Sequence, residues 1–137
     1  MSMKRILFLC LSLCVLFSAG CDGGGGGPTG PANAPILDQQ SVRVNPPQAN
    51  PGSIVIFSID YVNVPGDLNG GAVVITDNQG FRYDGIVSNA DSTAGTLTTS
   101  ITLSPLVRPG DLVFTILVWD RAGNQATPIV YATIVVL

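Results

Sequence analysis

The sequence predicts an all-β fold: a single sandwich of about seven strands formed by residues 36–137. Three observations predict it. No segment of that stretch sustains a helical period, β-branched residues dominate it, and Gly, Pro, Asn and Asp punctuate it every 8 to 15 residues. The 137 residues suffice for one ordinary domain. With 46% hydrophobic and only 11% charged residues, the chain is too apolar and too poor in charge to stay disordered.

The strands follow in order from alternation and turn chemistry. Strand A is placed at residues 41–45, B at 53–62 and C at 72–77. A short C′ or D falls at 81–87, E at 96–104, F at 111–120 and G at 129–136. Asn50-Pro51-Gly52 leads into B. Asp67-Leu68-Asn69-Gly70-Gly71 supplies residues that tolerate positive φ between B and C, and Asp77-Asn78-Gln79-Gly80 and Arg108-Pro109-Gly110-Asp111 do so later. In B, Val55, Phe57, Ile59 and Tyr61 point inward, with Ser58, Asp60 and Asn63 partly outward. Strand E is the clearest: Leu97, Thr99, Ile101 and Leu103 share one face, and Thr96, Thr98, Ser100 and Thr102 the other.

Strands F and G break this alternation. With Leu112, Phe114, Ile116 and Val118 inward, the outward set on F is Val113, Thr115, Leu117 and Trp119. On G, Val130, Ala132, Ile134 and Val136 oppose Ile129, Tyr131, Thr133 and Val135. Both parities are apolar, where a half-solvated antiparallel strand should alternate. A large exposed apolar patch marks a binding surface, and Trp and Tyr concentrate at interface centres. Val113, Leu117, Trp119 and Tyr131 are therefore the expected interaction surface, for self-association or a protein partner. Two arrangements would remove it: loops between Gly80 and Gly95 folding over the sheet, or a bulge turning Trp119 into the core.

The first 35 residues have a different character. Lys4 and Arg5 precede an apolar run, residues 6–17, of about 18 Å as a helix, too short for a hydrocarbon core of about 30 Å. That fits the apolar region of a signal peptide. Ser18-Ala19-Gly20-Cys21 then resembles the lipobox of bacterial lipoproteins. The resemblance implies a signal peptide at residues 1–20, cleavage after Gly20, a lipid on Cys21 and residence in the bacterial cell envelope, on the outer or inner membrane. Residues 21–35, with five consecutive glycines, read as a flexible tether. Cys10 and Cys14 leave with the signal, so no disulfide partner remains for Cys21.

Cleavage would leave four Arg (43, 82, 108 and 121) against nine Asp, a net charge of −5. Such a surface does not displace counterions from nucleic-acid phosphates. Nor does it adsorb to anionic lipid, so membrane attachment would rest on the lipid anchor.

A second resemblance covers residues 40–137. Gly110-Asp111-Leu-Val-Phe-Thr-Ile-Leu-Val-Trp-Asp120-Arg-Ala-Gly123-Asn124 is similar to the F strand and F–G turn of bacterial immunoglobulin-like and fibronectin type III-like domains. It implies an immunoglobulin-like β-sandwich serving adhesion, spacing or protein binding rather than catalysis. Paired core cysteines and a Trp on strand C, as in antibody domains, are absent from the sequence.

Catalytic chemistry has few groups to use. The chain has no His, and beyond residue 20 no Lys or Glu, so Ser nucleophiles lack a base and no cofactor is expected. Zinc lacks its usual ligands. Oxygen ligands for calcium exist at Asp60, Asp67 and Asn69 and at Asp120 and Asn124, and the last two also suit plain turn chemistry. The expected function is a membrane-anchored, non-catalytic binding, adhesion or spacer module. The alternatives are an accessory subunit of an envelope transport or secretion complex and, remotely, a small hydrolase.

Overall fold

The structure, a computed structural model, describes residues 33–64 and 66–137. The proposed signal, Cys21 and all but the last residues of the tether lie outside them. The described residues form nine strands in two antiparallel-dominated sheets: β1 (Ile36–Leu37), β2 (Arg43–Asn45), β3 (Gln48–Ala49), β4 (Ile54–Val62), β5 (Ala72–Asp77), β6 (Arg82–Ile86), β7 (Ala94–Thr102), β8 (Gly110–Val118) and β9 (Val130–Val136). One sheet has β4 at its centre, with β7 on one side and β2 and β1 along the other. The second runs β3-β9-β8-β5-β6. The fold is an immunoglobulin-like β-sandwich.

The seven expected strands are all present, with one change of form. Strand A, expected at 41–45, is β2 at 43–45, and two further short strands outside that range, β1 and β3, flank it. Asp38 Oδ1 accepts the Gln40 N–H at 2.9 Å and caps a short 3-10 turn at Gln39–Ser41, which separates β1 from β2. Pro46 and Pro47 then offer no N–H to a ladder, so pairing stops and the chain crosses to β9 as β3. The C′ or D question is settled by register. β6 pairs with β5 from Ala72↔Ile86 to Thr76↔Arg82, so it is the C′ strand of the larger sheet.

The core sits between the sheets where alternation placed it. Val55, Phe57, Ile59 and Tyr61 of β4 face Leu112, Phe114, Ile116 and Val118 of β8, all buried. Phe57 and Phe114 meet edge to face at 5.1 Å. The Thr/Ser face of β7 points to solvent, as its period of two requires. Asn63 is a correction. It continues the inward parity of β4, so it is buried, with its Nδ2 donating to Asp67 Oδ1 at 2.9 Å.

Two contacts fix close approaches, one between neighbouring strands of the larger sheet and one between the layers. Gly71 lies so near the backbone that follows β8 that a Cβ there would overlap the Trp119 carbonyl oxygen. Tyr83 of β6 donates its hydroxyl to Asp77 Oδ2 at 3.0 Å and accepts the Ser104 N–H at 3.3 Å, tying the larger sheet to the chain leaving β7. Desolvation raises the Tyr83 phenol above its usual value, helped by the bond to Asp77 and opposed by the bond from Ser104.

Candidate interaction surface

The outer face of the five-stranded sheet is built by register. Thr115 of β8 lies level with Tyr131 of β9, Thr76 of β5 and, through β5, Arg82 of β6. One row along, Leu117 lies level with Val74 and Asp84, with Ile129 just before β9 beside them. Val113 pairs with Thr133, and Asp111 with Val135, at one end of the face. Trp119 closes the other end, where its backbone N–H donates to Ala72 O at 2.8 Å.

This face is apolar and solvent-facing. Tyr131 is 53% exposed, Ile129 40%, Val113 38% and Val135 37%. Leu117, Val74 and Trp119 are half-buried. Val118 and Asp120 on either side of Trp119 are both buried, so alternation holds and no bulge turns the tryptophan inward. Nor does the segment between Gly80 and Gly95 cover the sheet. It forms the edge strand β6, then crosses toward β7, placing Val87 and Ala90 in the core. The two arrangements that would have hidden the surface are not the ones adopted. Val113, Leu117, Trp119 and Tyr131 do share one face, joined there by Val74 and Ile129. The pairing of β5 with β8 is what brings Val74 to this face.

Thr76, Thr115, Thr133 and Asp111 interleave with the apolar groups of the face, and polar contacts border it. On β6, Arg82 Nη2 meets Asp84 Oδ1 at 2.9 Å, two residues apart on the outward parity. Along the free edge of β9, Gln39 acts as a one-residue strand: its Nε2 donates to Tyr131 O at 3.0 Å and its Oε1 accepts the Tyr131 N–H at 2.7 Å. Next to it, Pro47 O accepts the Val135 N–H at 3.0 Å. The backbone groups of Tyr131 and the Val135 N–H are thereby occupied at this edge, and β6 forms the other edge of the sheet.

The calcium candidates do not converge on one point. Asp60 Oδ1 accepts Arg43 Nη2 at 3.1 Å and also the Thr96 hydroxyl. Asp67 takes the Asn63 amide, and Asn69 gives its amide to Asp91. Buried Asp120 accepts the Asn124 N–H at 2.8 Å and Asn124 Nδ2 at 2.9 Å, one on each oxygen. Gly123 has φ 87°, and its N–H donates to Asp120 O at 3.1 Å, which closes the turn. Among the described residues no three acidic, His or Cys side chains gather where a metal could be held. None of their helices is long and apolar enough to cross a membrane.

The chain enters the domain beside this turn. Thr127 N–H donates to Pro35 O at 2.9 Å and Thr127 O accepts the Leu37 N–H at 2.8 Å. Pro35 and Leu37 therefore sit at the end of the sandwich that carries Trp119 and Ile129.

No family model matches the sequence, and no curated protein does. Among solved structures, the chain is similar to a Niemann-Pick type C2 protein from Japanese carpenter ant. That likeness has 4% identity and a TM-score of 0.47, and covers 76% of this chain and 93% of that one. It is also similar to the CARDB domain of a Pyrococcus furiosus protein in complex with di-metal ions, at 14% identity and a TM-score of 0.40, covering 78% and 94%.

Proposed function

We propose that this is a lipid-anchored protein of the bacterial envelope whose β-sandwich is a non-catalytic protein-binding module. In this reading the lipid on Cys21 holds it to the membrane, and the outer face of the five-stranded sheet receives a protein surface. The observation that carries the reading is the open apolar face around Leu117 and Tyr131. A face that exposes Tyr131, Ile129, Val113 and Val135 around half-buried Trp119 and Leu117 costs solubility unless something covers it. The outer face of the other sheet differs in kind. There the hydroxyls of Thr98, Ser100 and Thr102 interleave with exposed Ile54, Ile56 and Val62 of β4, and none of the outward residues of β4 and β7 is aromatic.

Site-specific photo-cross-linking in intact cells tests the proposal. A photoreactive residue at position 117 or 131 of the full chain should form discrete protein adducts, and one at position 98 should not. Equal labelling at all three positions, or none at 117 and 131, would refute it.

A further inference from the structure

We propose that the protein covering this face is a second copy of the same chain, packed face to face about a two-fold axis. The axis runs between the two faces, parallel to the sheets and across the strands at the level of Ile116. The inference rests on the reading of the face as a protein-binding surface and names its partner. Three features carry it.

The first is charge. Arg82 and Asp84 lie in adjacent outward rows on β6, level with Thr115 and Leu117. A two-fold running between those rows sets each Arg82 against the partner's Asp84, and each Asp84 against the partner's Arg82. The same operation brings Asp111 toward the end of the partner's sheet where Arg121 lies. A chain whose nine Asp outnumber its basic residues would otherwise repel its copy, yet on this face the charges cancel and cross-match. The apolar groups pair as well: Tyr131 falls opposite the partner's Ile129, and Thr115 opposite the partner's Leu117.

The second is shape. Every β-sheet twists with the same hand, and two sheets of like twist pack face to face at about −30°. A two-fold operation preserves that hand, so the twisted face fits its own copy. Such an isologous contact uses one patch on both chains and closes at the dimer.

The third is size. Strands of 2, 7, 9, 6 and 5 residues, about 3.3 Å per residue and about 4.8 Å apart, outline about 460 Å². Side-chain relief enlarges the accessible area toward the roughly 800 Å² per partner of a standard interface.

Sedimentation equilibrium of the full chain in density-matched detergent tests the inference. The native chain should sediment as a dimer. Arg82→Asp alone and Asp84→Arg alone should each weaken association by about tenfold or more, since each places like charges face to face. Mixing the two variants should restore the dimer, because one now presents two negative charges and the other two positive. Tyr131→Glu should abolish the dimer, while Thr98→Glu on the opposite face should leave it intact. All four positions are at least partly solvent-exposed, and emission from Trp119, the single tryptophan, verifies folding. A native chain that stays monomeric at about 100 µM would overturn the inference, as would a dimer that mixing the variants does not restore. If the chain is monomeric while positions 117 and 131 still cross-link to a different protein, the binding reading stands and the self-pairing is overturned.

Discussion

Exchanging Asp120 and Asn124 tests whether the F–G turn is held by its own side chains. Asp120 is buried and spends one carboxylate oxygen on the Asn124 backbone N–H and the other on the Asn124 amide. In Asp120→Asn the backbone bond survives, and the Asn124 amide can turn over so that its oxygen accepts from the new N–H. Both bonds lose their charge assistance, a cost of about 1 kcal/mol each and about 2 kcal/mol together. For a domain of this size that lowers Tm by about 10 °C. Asn124→Asp places two carboxylates together and should cost at least as much.

The double exchange reverses the polarity of the side-chain bond without removing it. The amide introduced at position 120 would donate to the carboxylate introduced at position 124, and the amide oxygen would still accept the backbone N–H. The double variant should recover most of the loss, giving a coupling energy of about 2 kcal/mol in a double-mutant cycle followed by thermal unfolding. Chelator should leave the native Tm unchanged. Additive losses in the double variant, or a chelator-sensitive Tm that vanishes in Asp120→Asn, would refute the turn account and return the carboxylate to calcium.

Other outcomes follow from single contacts. Gly71→Ala should destabilise the domain by about 3 kcal/mol or more, because the added methyl meets the Trp119 carbonyl rather than a side chain that could move; urea denaturation checks it. Stability should fall as pH rises above 10.0, the ordinary tyrosine value, because the phenol of Tyr83 is raised in the folded state. Its contribution is complete below 10.0 and is lost as pH rises through the folded value, so Tyr83→Phe should flatten the alkaline limb of a Tm-against-pH curve. Cys21→Ser should move the protein from the membrane to the soluble fraction, and mass spectrometry of the native N-terminal peptide should show a diacylglyceryl adduct on Cys21. Residues 36–137 alone should unfold cooperatively with a β-type circular dichroism spectrum.

Most of the framework was legible because alternation and turn chemistry are local signals. Strand C came out at 72–77 and matches β5, and B, F and G agree with β4, β8 and β9 to within a residue or two. Strand A was less legible. β2 and the two short strands that flank it are decided by partners far along the chain: β4 for β1 and β2, and β9 for β3. Asn63 misled for a related reason. Its side-chain chemistry suggests solvent, while the parity of β4 carries it inward to Asp67. Parity was the stronger constraint, and it was already visible at Val55, Phe57, Ile59 and Tyr61. The candidate face was legible on F and G because both parities of those strands are apolar. That Val74 completes it, and that Gln39 blocks the edge of β9, required the pairing.

The two outer faces of the sandwich argue about use more sharply than either does alone. Both sheets are antiparallel over most of their length, and both bury one side against the same core, so fold stability makes no demand on either outer side. The β4–β7 sheet mixes the hydroxyls of β7 with exposed Ile54, Ile56 and Val62 of β4 and puts no aromatic residue there. The β9–β8–β5 sheet, under the same freedom, carries Tyr131, Ile129, Leu117, Val74 and Val113. At the β9 edge, Gln39 occupies both backbone groups of Tyr131 and Pro47 O accepts the Val135 N–H. An edge left open invites any strand, by backbone bonding that ignores sequence. Shielding these groups narrows that indiscriminate route on one side of the sheet, β6 being its other edge, while the face between them stays available to side-chain fit.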